Sequence, residues 1–164
     1  MNIDVFPNGM KLSVVIPIYN EEKTLSEIVA KVQATPYDKE LILVDDCSTD
    51  TSREVMKALQ EQYDNIRCFY HKKNLGKGGG LATGFAETTG DVVLIQDADL
   101  EYDPADYPVL LRPILEGKAD VVFGSRFLGG AYARVHLFYH YLGNRFLTMA
   151  SNMPSPSRER MSSM

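Results

Sequence analysis

Residues 91–99 read Asp-Val-Val-Leu-Ile-Gln-Asp-Ala-Asp, four apolar side chains delivered straight into a pair of aspartates. A strand with one wet face alternates apolar and polar residues. An unbroken apolar run instead marks a strand covered on both faces, as in a parallel sheet. The same pattern recurs upstream. Leu12–Ile18 (LSVVIPI) runs into Tyr19-Asn20-Glu21-Glu22, and Glu40–Asp45 (ELILVD) runs into Asp46 and Cys47. Ile66–His71 and Ala119–Phe123 are two further runs, the second followed by Gly124-Ser125-Arg126. Helical spacing fills the intervals. Leu25, Ile28, Val29 and Val32 fall at i, i+3, i+4, i+7; Asp50 precedes Val55, Met56, Leu59 and Tyr63; Asp103-Pro104 precedes Leu110, Leu111, Ile114 and Leu115, with Pro113 an irregularity. A glycine-rich loop, Asn74 to Gly80, leads into a small-residue helix ending near Gly90. Strands Leu12–Ile18, Glu40–Asp45, Ile66–His71, Asp91–Gln96 and Ala119–Phe123 alternating with helices predict an α/β fold, a mostly parallel sheet with helices on both faces.

In such sheets ligands bind beyond the C-terminal strand ends. There the polar residues converge. Asp97 and Asp99, two residues apart with Ala98 between, can both reach one hard divalent cation. Their mutual repulsion calls for such compensation, and Mg²⁺ or Mn²⁺ would keep coordination positions open for phosphate oxygens. Glu101 is a candidate third ligand. A solvated, helix-capping acidic loop has the same composition. Asp45 suits a ribose diol or a base-edge donor, and Asp46 suits a loop cap toward Ser48. Asn74-Leu75-Gly76-Lys77-Gly78-Gly79-Gly80 looks like a phosphate cradle, with Lys77 available to a phosphate or to an acidic neighbour. It is neither a Walker A loop, since Gly78 follows Lys77, nor the dinucleotide fingerprint. Arg126 offers a planar guanidinium to a diphosphate. His71, His136 and His140 are not spaced as metal ligands, and Cys47 and Cys68 read as buried thiols.

Composition narrows the classes. The chain has 164 residues, 45% hydrophobic and 24% charged, with a net charge of −5. That is an ordinary globular balance for one domain, and an acidic chain without a basic run is a poor nucleic-acid binder. Neither an apolar run long enough to span a bilayer nor a signal-peptide core is present, so a cytoplasmic protein is the expectation. Charge is uneven: after Gly124 there are five arginines and one glutamate. Within that basic segment Val135, Phe138, Tyr139, Leu142, Phe146 and Met149 repeat at helical spacing. Either a core helix or a helix lying on a membrane surface has this pattern.

Val15-Ile16-Pro17-Ile18-Tyr19-Asn20-Glu21, Val44-Asp45-Asp46-Cys47-Ser48-Thr49-Asp50, Asn74-Leu75-Gly76-Lys77-Gly78, Asp97-Ala98-Asp99 and Gly124-Ser125-Arg126 stand in that order. Together they resemble the family 2 glycosyltransferases of the Rossmann-like GT-A fold, in the branch of dolichol-phosphate mannose synthases and bacterial polyprenyl-phosphate glycosyltransferases. The resemblance covers roughly Lys11 to Asn152. It implies that Pro17, Tyr19, Asn20, Glu21 and Asp45 hold the nucleotide. Asp97, Ala98 and Lys77 would lie at the donor, Asp97, Asp99 and Glu101 around Mg²⁺ or Mn²⁺, and Asp99 and Arg126 at the chemistry. The implied activity is metal-dependent, inverting transfer of mannose or glucose from a GDP- or UDP-sugar to a polyprenyl phosphate. An ionised acceptor phosphate needs no protein base, which agrees with the lack of an evident one.

The implied organisation is a nucleotide-sugar-binding domain over residues 1–132, an amphipathic helix over 133–153 in peripheral contact with the cytosolic membrane face, and a disordered tail over 154–164. Family members continue past Asn152 with more acceptor-binding chain, where this one has a polar tail. The expectation is therefore a shortened chain that keeps the nucleotide half. The rival reading is a nucleotide-sugar-binding fragment without turnover. A receiver- or dehalogenase-like phosphoryl-transfer domain would put its key aspartate after the first strand, where Tyr19-Asn20-Glu21 stands.

Overall fold

The computed structural model describes residues 9–124. The elements, in order, are β1 (Leu12–Ile18), α1 (Leu25–Gln33), β2 (Lys39–Asp45), α2 (Ser52–Gln62), β3 (Ile66–Tyr70), α3 (Gly76–Ala86), β4 (Val92–Ile95), a 3₁₀ turn (Pro104–Asp106) and α4 (Tyr107–Leu115). The predicted helix over 133–153, the tail over 154–164 and Arg126 lie outside the described residues.

The four strands form one parallel sheet in the order β3-β2-β1-β4. Ile18 pairs with Asp45, and Val15 with Ile95. The chain steps outward from β1 to β3, then returns to β1's other side with β4. That reversal opens a crevice beyond the C-terminal ends of β1 and β4, the usual ligand position in open α/β sheets.

Strand parity divides the core. Leu12, Val14, Ile16 and Ile18 of β1, with Leu41 and Leu43 of β2, pack against Leu25, Ile28, Val29 and Val32 of α1, Met56 and Leu59 of α2, and Tyr107 and Leu111 of α4. The intervening Val15, Ile42 and Val44 form the other layer, with Phe69 of β3 and Leu81 of α3. Helices thus cover both faces of β1 and β2, and their apolar runs lack alternation for that reason. β4 departs from that expectation, since among the described residues Val92 and Leu94 are buried while Val93 and Ile95 stand exposed.

Two expectations are corrected. The glycine-rich stretch is not a loop: α3 begins at Gly76, so glycines 76, 78, 79 and 80 are its first turns. Low helix propensity is overridden by packing. A Cβ on Gly84 would come within 2.3 Å of Val15 Cγ1, and one on Gly80 within 3.4 Å of Pro17 Cβ, so the absent side chains let α3 lie directly on β1. The second correction concerns Ala119–Phe123, which forms no strand. A strand is defined by its ladder, and among the described residues this run has no pairing partner; Val121 and Phe123 stand exposed.

The glycines yield a prediction of opposite signs. Gly84→Ala gains helix propensity of about 1 kcal/mol but drives its methyl into Val15, and overpacking of this kind costs about 1–3 kcal/mol. A methyl at Gly78 would meet no atom within 4 Å. Urea midpoints should fall for Gly84→Ala and rise slightly for Gly78→Ala; equal shifts would show that α3 does not depend on close contact.

At the N-terminal end of the sheet, Glu40 sits buried in a polar knot. Its carboxylate accepts hydrogen bonds from Ser13 Oγ (2.6 Å), Thr89 N (2.6 Å), Thr89 Oγ1 (3.0 Å) and Lys11 Nζ (3.2 Å), with Arg67 at 3.7 Å. Burial alone would raise its pKa; the donors from Ser13, Thr89 and Lys11 hold it down at about 2.

Candidate functional site

The crevice at the strand reversal is a cleft of about 420 Å³ lined by Pro17, Ile18, Tyr19, Glu21, Asp46, Asn74, Gly76, Lys77, Gly80, Asp97, Ala98 and Asp99. Pro17 and Ile18 end β1, and Tyr19 and Glu21 follow it; Asp46 follows β2, Asn74 precedes α3, Gly76, Lys77 and Gly80 lie in its first turns, and the last three follow β4. Four carboxylates face one ammonium there.

Parity explains which residues arrive. Past Ile95, Gln96 continues the side of Leu94 and turns into the core, and Asp97 turns toward α3. There Lys77 Nζ lies 2.6 Å from Asp97 Oδ1 and 2.8 Å from Oδ2. Asp99 Oδ1 accepts the backbone N–H of Glu101 at 3.0 Å. Leu100, at φ +62°, reverses the chain inside that turn.

The same parity separates the two aspartates after β2. Asp45 continues the Leu41–Leu43 side and is fully buried. Its oxygens accept from Cys47 N and Ser48 N at 3.1 Å each and pair with Arg53 Nε at 2.6 Å. It caps the loop and does not line the cleft. Asp46, on the Val44 side, does line it. Asp46 Oδ1 accepts from Leu75 N at 2.8 Å and meets His71 Nδ1 at 2.7 Å, while His71 Nε2 meets Thr83 Oγ1 at 2.9 Å. Burial opposes ionisation of Asp46, but the donors from His71, Leu75 and Gly76 outweigh it and lower its pKa. In the structure it is Asp46 that lines the cleft and Asp45 that makes the loop-capping bonds, and His71, dismissed as a metal ligand, enters as the support of Asp46. Counting from Val44 would have found this; the two carboxylates look alike without the side assignment.

Of the other expected residues, Pro17, Tyr19, Glu21, Lys77, Asp97, Ala98 and Asp99 come together in the cleft. Asn20 does not line it. In left-handed backbone at φ +58°, it accepts from Thr49 N at 2.8 Å and donates its own N–H to Ser48 Oγ at 3.0 Å, stitching the loop after β1 to the loop after β2. Glu21 accepts from Thr24 Oγ1 at 2.8 Å beside the start of α1. Glu101 is exposed and outside the lining, carried away by the turn at Leu100. Among the described residues no three His, Cys, Asp or Glu side chains gather as a metal site, so the expected three-carboxylate set is not formed. Asp97 and Asp99 remain as a pair of hard oxygen donors. Such a pair fits Mg²⁺ or Mn²⁺ when the ligand's phosphates and water complete the shell. Both thiols are partly buried, and burial pushes Cys68 up to about 11. Among the described residues no helix is long and apolar enough to cross a membrane.

Known proteins resemble this chain in sequence and fold. A dolichol-phosphate mannosyltransferase from Pyrococcus furiosus is 32% identical over 151 residues, 90% of this chain and 42% of the relative. The chain thus spans less than half of that relative's length. Glucosyl-3-phosphoglycerate synthase from Mycobacterium tuberculosis, solved with Mn²⁺, UDP and glucosyl-3-phosphoglycerate, superposes with a TM-score of 0.54 at 30% identity, covering 65% of this chain and 40% of that one. A mannosyltransferase from Pyrobaculum calidifontis in complex with GDP-Man and Mn²⁺ gives 0.52 at 27% identity, covering 58% and 29%. The fold is that of the GT-A glycosyltransferases. The model of glycosyl transferase family 2 matches residues 13–148, and the chain belongs to that family.

Proposed function

We propose that this chain binds a GDP- or UDP-sugar with a divalent cation and transfers the sugar, mannose or glucose, to a polyprenyl phosphate. The observation that carries the reading is the charge of the cleft. Glu21, Asp46, Asp97 and Asp99 outnumber Lys77, so a diphosphate would be repelled unless a cation entered with it. A carboxylate-rich cleft at a strand reversal suits a ligand with hydrogen-bond donors at one end and phosphates at the other. Asp46, ionised and held from behind by His71, is placed to accept from a base edge or ribose hydroxyl. Tyr19 and Pro17 supply flat apolar contact. The start of α3 presents backbone N–H groups and Lys77 toward the phosphates.

Asp97 and Asp99 would hold Mg²⁺ or Mn²⁺, which would supply Lewis-acid stabilisation of the departing diphosphate. An acceptor phosphate oxygen would bond to the anomeric carbon as the bond from that carbon to the nucleotide diphosphate breaks. One such displacement inverts the centre, and the acceptor, already ionised, loses no proton. Arg126 is proposed beside the phosphates on its sequence position. The aromatic, basic sequence of residues 133–153 supports peripheral contact with a membrane carrying the acceptor.

Thermal shift against GDP, UDP, ADP and CDP, each with and without Mn²⁺, tests the donor half. A ligand that binds the folded state raises its midpoint by mass action. The expected result is a Mn²⁺-dependent rise with GDP or UDP. No rise with any nucleotide sinks the proposal. Binding without transfer to a polyprenyl phosphate leaves a nucleotide-sugar-binding domain.

A further inference from the structure

We infer that Gln96 is a positioning residue for the Asp97–Asp99 pair, acting as a buried amide brace that sets the acidic loop before any cation arrives. The inference rests on the metal-assisted donor reading above.

The observation is a polar side chain where the pattern demands an apolar one. Gln96 follows the run Val92–Ile95, and its backbone N–H donates to Val15 O at 3.0 Å, extending the β1–β4 ladder by one residue. Its side chain is 1% exposed. Burying a primary amide is costly unless its donors and acceptor are used, and here they are. Nε2 donates to Asp97 O at 3.0 Å and to Tyr102 O at 3.1 Å; Oε1 accepts from Tyr107 Oη at 2.8 Å. One side chain therefore ties together both ends of the loop from Asp97 to Tyr102 and anchors them to the first residue of α4. Tyr107 is 2% exposed, and burial raises its hydroxyl pKa, so it stays a donor.

The loop so clamped contains the features that aim the carboxylates: buried Ala98, Leu100 in left-handed backbone, and the Asp99-to-Glu101 turn. Leucine or methionine at 96 would fill the same core volume but leave two carbonyls and a hydroxyl without their partner. Glutamate would set a carboxylate against those two carbonyls. Neither change touches Asp46, Tyr19 or the backbone N–H groups at the start of α3, and Asp97 keeps the charge that holds Lys77. The brace therefore predicts a separation that a general loss of stability does not: the part of nucleotide affinity that depends on Mn²⁺ falls, and the metal-free part stays.

The experiment is calorimetric titration of the full chain with UDP and with GDP, each with and without Mn²⁺, for the unsubstituted protein, Gln96→Met, Tyr107→Phe and the double variant. Whichever nucleotide binds is followed. Gln96→Met is expected to lose about tenfold of the Mn²⁺-dependent gain with the metal-free affinity unchanged within twofold. Tyr107→Phe, which keeps both Nε2 bonds, loses about threefold, and it adds nothing in the Gln96→Met background because both act through one network. A full Mn²⁺-dependent gain in Gln96→Met overturns the brace while leaving the donor reading intact. No Mn²⁺-dependent gain in the unsubstituted protein overturns the donor reading itself, and the brace with it. Should Gln96→Met fail to fold, Tyr107→Phe alone decides: an unchanged gain rejects the brace, a reduced one with metal-free affinity preserved supports it.

Discussion

Asp99→Asn should abolish the Mn²⁺-dependent part of UDP or GDP affinity, a loss of about 100-fold or roughly 3 kcal/mol. The size follows from how little else the protein offers the cation. Only Asp97 and Asp99 stand in the cleft as neighbouring hard donors, and no third protein ligand joins them among the described residues. Removing one charge of two leaves a site no better than an exposed carboxylate. Asp97→Asn should lose the same metal-dependent gain and differ in one respect. Lys77 Nζ now lies within 2.8 Å of both Asp97 oxygens. With that carboxylate neutralised, the ammonium is released to the diphosphate, so metal-free nucleotide affinity should hold or rise in Asp97→Asn and fall short of that in Asp99→Asn. Titration with and without Mn²⁺ reads both quantities. If either variant kept the full Mn²⁺-dependent gain, the cation would not be bound by this pair.

Much of this site could be read from the chain, for a definable reason. Strands covered on both faces have no polar side, so β1 and β2 announce themselves as apolar runs, and the residues just past the strands, β4 included, are the ones a parallel sheet presents. Pro17, Tyr19, Glu21, Asp97, Ala98 and Asp99 were legible in that way. What was not legible depends on three-dimensional parity or on packing. Asp45 and Asp46 are chemically the same, and only the layer that each faces divides cap from cleft. The glycines at 76–80 carry a loop signal because propensity is local, whereas α3 needs small residues where it meets β1, Gly80 at Pro17 and Gly84 at Val15. Ala119–Phe123 has strand composition without a ladder among the described residues. Gln96 ends an apolar run as a surface residue would, and its burial is visible only once Tyr102 and Tyr107 are placed around it.

A second large effect lies at the opposite end of the sheet, far from the chemistry. Glu40 has a folded pKa of about 2 against an ordinary 4.5. A depressed carboxylate stabilises the fold fully above the unfolded value and loses that contribution as pH falls through the folded one. Between pH 4.5 and pH 2 the knot should therefore give up as much as about 3 kcal/mol. Its side chain is only 6% exposed, so solvent screens the interaction little. Glu40→Gln removes the charge while keeping the shape. The amide sets N–H donors against Lys11 and Arg67 and loses the charge-assisted bonds from Ser13 and Thr89. At pH 7 this variant should be less stable by about 2–3 kcal/mol. At lower pH the unsubstituted protein protonates and surrenders the same advantage, so the two urea midpoints should converge between pH 4.5 and pH 2. A gap that stays constant over that range would mean that Glu40 holds the sheet by packing alone. The convergence should leave nucleotide affinity at pH 7 unaffected, because Lys11, Ser13, Glu40 and Thr89 sit at the N-terminal end of the strands and the cleft at their C-terminal end.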